Sequence, residues 1–384
     1  MTASIEVRLQ NALDVALERG ERGVQIAVFI GGELVLQGAA GTADDLGTAV
    51  THDTLFPIFS VTKGLSATAL HIQVERGLVD LDEPVARYWP EFAAEGKGNI
   101  RVRDVLVQQS GVPQMPPGTT PELLGDWDWC VTGLARLKPL FPPGKSSYAS
   151  ISYGWQLGEI VRRTDVKGRS FADFVTEEIF EPLGVEDYHL GMGGENHDRV
   201  AQLYTAGNLR PRPSEYRELA MPTTITPGPI WNDPVFYDAV VPGAGGIASA
   251  TGVARFFSLL ANRGRLGDVR LLAEDRVMSF TEPRPRSDEY DEVLGQVPWI
   301  GCGGYWLGGP TPPAEPVIGT NPHILASNGS GGSIGWADPD STLAVAICHN
   351  RMFRINPPLP PEEHPFTALG ELARSLVGER SLVE

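Results

Sequence analysis

Basic residues are scarce in this sequence of 384 residues. It contains 31 Lys and Arg against 48 Asp and Glu, which gives a formal net charge of -17. Nucleic acids and anionic membrane surfaces are bound through clustered Lys and Arg side chains. The chain has no basic run of this kind, so we expect neither a nucleic acid nor a membrane as a partner.

Cysteine is scarcer still, and Cys130, Cys302 and Cys348 lie far apart along the chain. An odd number at such spacing argues against a disulfide framework or a zinc site. The histidines are scattered and form no H-E-x-x-H pair, so we predict no metal and no other cofactor. No apolar run approaches the roughly 20 residues of a membrane helix, and the charged N-terminal segment is unlike a secretory signal. We therefore expect a cytoplasmic protein.

Strand signals are concentrated near the two ends of the chain. An amphipathic helix that ends at Gly20 precedes an alternating apolar pattern, and the turn Gly31-Gly32 predicts a β-hairpin there. Further strands are predicted over 333–336 and 343–348, joined by a turn that contains Pro339. Helical patterns lie between the ends, over 155–163, 171–180 and 251–262, and a last helix is predicted over 366–377.

This distribution predicts an α/β (α+β) fold, with an antiparallel sheet that is flanked by helices and built from both chain ends. Residues 1–80 and 240–384 would form the sheet domain, which is discontinuous in sequence. Residues 81–239 would form a mainly helical inserted domain, and the active site would lie between the two.

Ser60 and Lys63 are the first candidates for chemistry. A helix is predicted to begin near Ser60 and to stop at Gly77. Ser60 would then face the positive end of the helix dipole and its free N–H groups, and Lys63 would lie on the same helical face. Burial could lower the pKa of the lysine enough for proton transfer. An S-x-x-K spacing is common by chance, so this interpretation depends on its context.

Two further segments supply that context. Tyr148 follows the turn Pro142-Pro143-Gly144 and precedes a helix, and Ser327-Asn328-Gly329-Ser330 precedes a predicted hairpin. Together with Ser60 and Lys63, these segments resemble the serine β-lactamase fold, in particular class C β-lactamases and family VIII carboxylesterases. The resemblance extends over residues 20–380, and its motifs occur in the family's order.

The resemblance implies a role for each of these residues. Ser60 would be the acylated nucleophile, Lys63 its proton partner, and Tyr148 a second general base that acts as a phenolate beside Lys63. The backbone N–H groups of Ser60 and Ser330 would form the oxyanion hole. Ser150, Ser327, Asn328 and Gly329 would contact the substrate.

Two departures from the family's pattern narrow the expected chemistry. Ser150 stands where β-lactamases have an Asn, and Ser327 stands where they have the Lys that meets the β-lactam carboxylate. An anionic substrate would therefore lose its main anchor. Trp127, Trp129, Trp231 and Trp306 are candidates for an aromatic-accepting pocket, although about half of such residues belong to a core.

Two glycine-rich segments match motifs of other enzyme classes. Gly331-Gly332-Ser333-Ile334-Gly335 fits the nucleophile elbow of α/β-hydrolases, but a turn and a strand are predicted where that elbow needs a helix. Gly243–Ala248 fits a dinucleotide fingerprint, but no strand is predicted before it. We interpret Ser333 as a hairpin residue and Gly243–Ala248 as a turn into the next helix.

The sequence thus predicts a serine carboxylesterase or acyltransferase that acts on a small-molecule ester or acyl donor. Water, an alcohol or an amine would accept the acyl group from Ser60. The alternatives are a β-lactamase or D-amino-acid peptidase or amidase, and a non-catalytic binding protein of the same fold. The sequence leaves open whether the protein forms a homo-oligomer.

Overall fold

The computed structural model describes residues 4–206, 214–309, 316–353 and 359–380. Within these ranges, no helix combines the length and the apolar character that a membrane crossing requires. The helices are α1 Ile5–Glu18, α2 Thr62–Glu75, α3 Val102–Leu106, α4 Pro121–Leu124, α5 Trp127–Arg136, α6 Tyr153–Thr164, α7 Phe171–Val175, α8 Glu181–Leu183, α9 Glu215–Ala220, α10 Pro234–Asp238, α11 Ala250–Ala261, α12 Glu274–Ser279 and α13 Thr367–Arg380.

The strands of the described residues form one large sheet and three small ones. They are β1 Gly23–Ile30, β2 Glu33–Gly41, β3 Phe56–Phe59, β4 Tyr188–Leu190, β5 Tyr204–Thr205, β6 Gly246–Ala248, β7 Arg265–Leu266, β8 Val269–Arg270, β9 Trp306–Leu307, β10 Leu325–Asn328, β11 Ile334–Asp338, β12 Leu343–His349 and β13 Arg351–Met352. The six-stranded sheet has the order β2-β1-β12-β11-β10-β9, and every adjacent pair is antiparallel.

The sheet joins the two ends of the chain, as the sequence predicts. In its centre β1 pairs with β12, so that Ile26 lies opposite Ile347. The predicted β1–β2 hairpin turns at Gly31 and Gly32, whose φ values are 61° and 87°. A two-residue turn with both φ values positive matches the twist of the strands that it connects, and glycine adopts it without strain.

Helices cover both faces of this sheet. Helices α1 and α13 lie on one face, where Arg8 pairs with Glu379 at 2.5 Å and apolar residues of both helices pack on strand residues such as Ile26. Helix α11 lies on the other face, and Phe256 and Phe257 are fully buried there. The sequence therefore predicts the fold class correctly: an antiparallel sheet flanked by helices.

Helices make up most of the regular structure that is described over residues 81–239, and helix α6 of this segment packs on helix α2. Helix α2 is buried from Thr62 to Gln73, and its Gln73 donates a hydrogen bond to the hydroxyl of Thr164 in α6 at 3.0 Å. A three-stranded sheet of order β3-β6-β4 also joins the two parts. Strand β3 leads directly to Ser60, so this small sheet positions the candidate nucleophile.

Two local features differ from the sequence prediction. The glycine-rich segment from Gly243 leads into strand β6 before helix α11 begins, because Gly246–Ala248 pairs with both β3 and β4. Helix α2 begins at Thr62 rather than at Ser60, so Ser60 lies in the turn before the helix. The residues after Ser333 form β11, as predicted, and not the helix of a nucleophile elbow.

Candidate active site

Ser60 lies at a strained turn between β3 and α2. The preceding residue, Phe59, has a φ of 48°, a conformation that is uncommon for a side chain of this size and that costs about 1–3 kcal/mol. Contacts hold it there, since its ring packs edge-on against Trp231 at a centroid distance of 5.2 Å. The backbone N–H of Ser60 donates to no other residue that the structure describes, and it is therefore available to a ligand.

Lys63 lies directly beside this serine. Its Nζ is 3.1 Å from Ser60 Oγ and donates to the carbonyl oxygens of Ser150 at 2.5 Å and Gly243 at 2.8 Å. The side chain is buried, and desolvation lowers the pKa of Lys63 to about 7. In the neutral form its two N–H bonds point to the two carbonyls, which leaves the nitrogen lone pair for the Ser60 hydroxyl.

Tyr148 also lies at this site, with its ring centroid 5.3 Å from Lys63 Nζ. Burial raises the pKa of Tyr148 to about 12, and hydrogen bonds to Ser60 and Trp306 act in the opposite direction. The raised pKa favours the phenol over the phenolate, which is the opposite of what the sequence-based role for Tyr148 requires. The phenol can still accept and donate a hydrogen bond.

The loop that carries Tyr148 is held through its consecutive backbone amides. The N–H of Ser147 donates to the carbonyl of Gln108 at 3.0 Å, and the N–H of Ala149 donates to the side-chain oxygen of the same Gln108 at 2.8 Å. Between them, the N–H of Tyr148 donates to the carboxylate of Asp291 at 2.8 Å. Gln108 and Asp291 therefore position the candidate catalytic tyrosine without belonging to any motif.

Strand β10 and its turn form the opposite wall of the site. Ser330 and Asn328 face the cavity at Ser60, and the Ser330 N–H, like that of Ser60, has no acceptor among the described residues. Ser327 is buried, and its hydroxyl donates to the carbonyl of Ser60 at 3.3 Å. Gly329 N–H donates to the carbonyl of Ser333 at 2.7 Å, so Ser327 and Gly329 support the wall rather than line it.

The cavity at Ser60 is small, with a volume of about 80 Å³, which is below the usual range for a drug-sized ligand. Ser60, Tyr148, Ser150, Asn328 and Ser330 line it. Of the predicted site residues, only Lys63, Ser327 and Gly329 lie behind its surface. The site thus brings the candidate nucleophile, a lysine of lowered pKa and two unused backbone donors to one cavity.

The four candidate pocket tryptophans have different surroundings. Trp306 lines the cavity, and its ring lies 6.1 Å from that of Tyr148. Trp231 is fully buried and stacks on Phe236. Trp127 donates a hydrogen bond to Glu159 in the helical segment, and Trp129 packs against the large apolar core.

Sequence reasoning missed several residues of the site. Arg217, Gln296 and Leu294 line the cavity, and Asp291 holds the Tyr148 loop. These residues come from segments around helix α9 and between α12 and β9, where no pattern distinguishes them from other polar loop residues. Only the fold brings them to Ser60.

Comparison with known proteins shows the family to which the chain belongs. A family model described as Beta-lactamase matches residues 7–361 of the chain. The chain belongs to the beta-lactamase family. Among curated members, the Esterase/beta-lactamase LipL of Mycobacterium tuberculosis is 31% identical over 346 residues, which are 86% of this chain and 77% of LipL.

Solved structures extend the similarity to nearly the whole fold. The crystal structure of a family VIII carboxylesterase superposes with a TM-score of 0.85 and 29% identity, covering 98% of both chains. A penicillin-binding protein homologue from Caulobacter crescentus gives a TM-score of 0.80 and 30% identity over 95% of this chain and 97% of its own. This beta-lactamase-family chain therefore has the fold of serine hydrolases that include esterases.

Proposed function

We propose that this protein is a serine carboxylesterase that cleaves small-molecule esters through an acyl-enzyme on Ser60. The observation that carries the proposal is the 3.1 Å distance between Ser60 Oγ and Lys63 Nζ, at a lysine whose pKa is lowered to about 7. A base with a pKa near the working pH transfers protons most efficiently. Esterases among the relatives support the same conclusion.

In the acylation step, Ser60 Oγ attacks the ester carbonyl while its proton passes to the neutral amine of Lys63. The carbonyl oxygen becomes an oxyanion, and the backbone N–H groups of Ser60 and Ser330 are the donors for it. The tetrahedral intermediate then collapses, the C–O bond to the alcohol breaks, and the leaving alkoxide takes a proton. Tyr148, as a phenol, relays that proton from Lys63.

Deacylation repeats these steps with a different nucleophile. Water loses a proton to Lys63 through Tyr148 and attacks the acyl carbonyl. The bond between the acyl carbon and Ser60 Oγ then breaks, Lys63 returns its proton to Oγ, and the acid is released. An alcohol or amine in the same position would give acyl transfer instead. Asn328 and Ser150 line the space in which either acceptor would bind. The ratio of free acid to acyl-transfer product distinguishes hydrolysis from acyl transfer.

The test combines turnover with intact mass. Purified protein should hydrolyse 4-nitrophenyl butyrate, and the Ser60→Ala variant should not. A brief reaction with a fluorophosphonate should add one label to the wild type and none to Ser60→Ala. Full hydrolysis by the Ser60→Ala variant would falsify the proposal. A protein that takes no label and turns over no ester would favour the binding-protein alternative.

Antibiotic hydrolysis is the second candidate, because LipL carries both activities in its name. Ser327 has no charge to offer a β-lactam carboxylate, and its hydroxyl already donates to Ser60. We therefore expect turnover of nitrocefin to be far slower than that of a neutral ester. Nitrocefin and a D-alanyl amide, assayed beside the ester, decide between these activities.

We also propose a cytoplasmic location, which the three unpaired cysteines support because oxidising compartments favour disulfides. We propose a homo-oligomer as well, and sedimentation velocity would measure the oligomeric state in solution.

A further inference from the structure

The wall of the cavity at Ser60 contains a cationic side chain, that of Arg217. Arg217, on helix α9, lines the same cavity as Ser60. Among the described residues that line it, Arg217 alone has a charged side chain, and the others carry hydroxyl, phenol, amide, indole, thioether or aliphatic groups. The formal positive charge in the cavity of the nucleophile therefore meets no charge of either sign in the rest of the described wall.

The guanidinium of Arg217 has no partner among the described residues. No hydrogen bond or ion pair joins it to another described group, whereas Arg169, for example, binds Asp165 at 2.8 Å and Glu177 at 2.7 Å. Burial lowers the pKa of Arg217, and no neighbouring carboxylate opposes that change. A partly desolvated arginine without an anion is costly, and a ligand with a negative group would remove this cost.

Arg217 is also held in place by its own helix. The neighbouring Tyr216 packs its ring on Phe141 at a centroid distance of 4.8 Å. Two residues further along, the carbonyl of Leu219 accepts the N–H of Met115 at 2.9 Å. These contacts attach α9 to the body of the protein on both sides of Arg217. The cation is therefore presented to the cavity from a fixed element.

The attraction of Arg217 for an anion acts only locally, because the protein as a whole is negatively charged. With a formal net charge of -17, the chain as a whole repels anions. Screening confines that repulsion to roughly 8 Å at physiological salt, so a direct contact with one guanidinium decides the local preference. Arginine suits a carboxylate because its planar fork can donate two parallel hydrogen bonds.

We propose that Arg217 binds a carboxylate of the substrate, and that the natural substrates are therefore esters that carry a free carboxylate beside the scissile bond. This inference rests on the proposed function and adds a substrate class to it. The cation comes from helix α9 and not from strand β10, where Ser327 lies. The side-chain oxygen of Asn328, which has no hydrogen-bond partner among the described residues, would accept a hydrogen bond from the neutral part of the same substrate.

Matched ester pairs test the proposal. 3-Carboxyphenyl butyrate against phenyl butyrate places the charge on the alcohol, and mono(4-nitrophenyl) adipate against 4-nitrophenyl hexanoate places it on the acyl group. The wild type should prefer the carboxylated member of at least one pair. Arg217→Met should lower that preference about tenfold to hundredfold, mainly through KM, because charge-assisted hydrogen bonds are lost. Arg217→Lys should keep part of it.

An exposed arginine provides the control. Arg87 pairs with Glu83 at 3.0 Å on the surface, and Arg87→Met should leave the preference within each pair as in the wild type. The proposal would be overturned if the wild type showed no preference for a carboxylated ester. It would also be overturned if Arg217→Met lowered the activity toward both esters of a pair equally. Added NaCl should raise KM for the carboxylated ester in the wild type only.

A binding measurement separates this proposal from the proposed function. Calorimetric titration of 3-hydroxybenzoate and adipate into the Ser60→Ala protein requires no turnover. Binding of either anion that Arg217→Met weakens in the Ser60→Ala background supports the carboxylate site even if no ester is hydrolysed. Equal binding, or none, to both proteins contradicts the site even if the esterase activity is real.

Discussion

The carboxylate of Asp291 accepts the backbone N–H of Tyr148 at 2.8 Å. The same oxygen accepts the hydroxyl of Ser146 at 2.8 Å, and the other oxygen accepts the N–H groups of Val293 and Leu294 at 3.0 Å and 2.8 Å. Asp291 thus accepts four donors while fully buried. It joins the loop of the candidate catalytic tyrosine to the segment that forms the far wall of the cavity.

Replacement of this carboxylate should lower both activity and stability. Asp291→Asn puts an NH₂ group where two of the four donors now point, so those donors lose their acceptor at a cost of about 1–3 kcal/mol each. Tyr148 would then move, and we expect kcat for ester hydrolysis to fall about tenfold to hundredfold. Stopped-flow or steady-state assays measure kcat, and urea unfolding measures the free energy. Asp288→Asn, an exposed carboxylate in the same segment, is the control and should behave as the wild type.

The pH dependence of kcat/KM should identify the base. Burial lowers the pKa of Lys63 to about 7, and only the neutral amine can accept the Ser60 proton. Activity should therefore rise with pH, level off above about 7, and fall below it as the amine becomes protonated. A pH-stat assay of a neutral ester gives the profile. Activity that continues to rise toward pH 10 would instead assign the base to Tyr148, whose pKa is raised to about 12.

Lys63→Arg is the matched variant for this profile. The guanidinium of the variant keeps a positive charge and does not lose its proton in this pH range. It can therefore contribute an electrostatic field at the site, but it cannot act as a base. We expect activity to fall by about 100-fold or more and the inflection near pH 7 to disappear. A profile that keeps its inflection in Lys63→Arg would contradict the assignment.

Local sequence patterns predicted the strands at both chain ends, and the resemblance to the serine β-lactamase fold supplied the three active-site motifs. The alternation before Gly31 and the two positive φ values that glycine permits define the hairpin, and its strand β1 pairs with β12 from the other end of the chain. Ser60 and Lys63 are neighbours because three residues at a helix start bring them together. Short-range geometry of this kind can be predicted from one sequence.

The rest depends on contacts between distant segments. Gln108 and Asp291 both reach the Tyr148 loop, yet neither occurs in a recognisable spacing, and Arg217 follows a Pro-rich stretch with no periodic pattern. The pKa of Tyr148 also required the structure, because burial opposes the phenolate that the motif alone suggests. The start of α2 at Thr62 differs by two residues from the prediction, as helix boundaries often do.

The helical segment should depend on a buried carboxylate at Glu159. Its side chain is fully buried and accepts Trp127 Nε1 at 2.8 Å, Arg162 Nε at 2.8 Å and Arg163 Nε at 2.6 Å. Burial raises the pKa of Glu159, but the hydrogen bonds from these side chains outweigh it, and the pKa is lowered overall. Glu159→Gln should reduce the free energy of unfolding by about 2 kcal/mol at pH 7.

The size of this effect depends on pH. Because the folded-state pKa of Glu159 lies below its ordinary value of 4.5, the carboxylate contributes stability above pH 4.5, and that contribution is lost as the pH falls through the folded value. Urea unfolding at pH 7 and at pH 4 should therefore give a smaller difference between wild type and Glu159→Gln at the lower pH. Glu122→Gln, an exposed carboxylate in the same segment, should differ little from the wild type at both. A difference that grows on acidification would refute this account.

Gly154 should tolerate no side chain, because helix α6 touches the backbone that holds Lys63. A Cβ atom at Gly154 would lie 2.1 Å from Gly243 N and 2.1 Å from the carbonyl carbon of Pro242, so Gly154→Ala must displace that segment. The carbonyl of Gly243 accepts a hydrogen bond from Lys63, and its displacement should reduce kcat about 100-fold and stability by about 3 kcal/mol. Gly378→Ala, in helix α13 with no atom near its Cβ position, should keep full activity and gain stability. Equal activity in the two alanine variants would mean that Gly243 does not position Lys63.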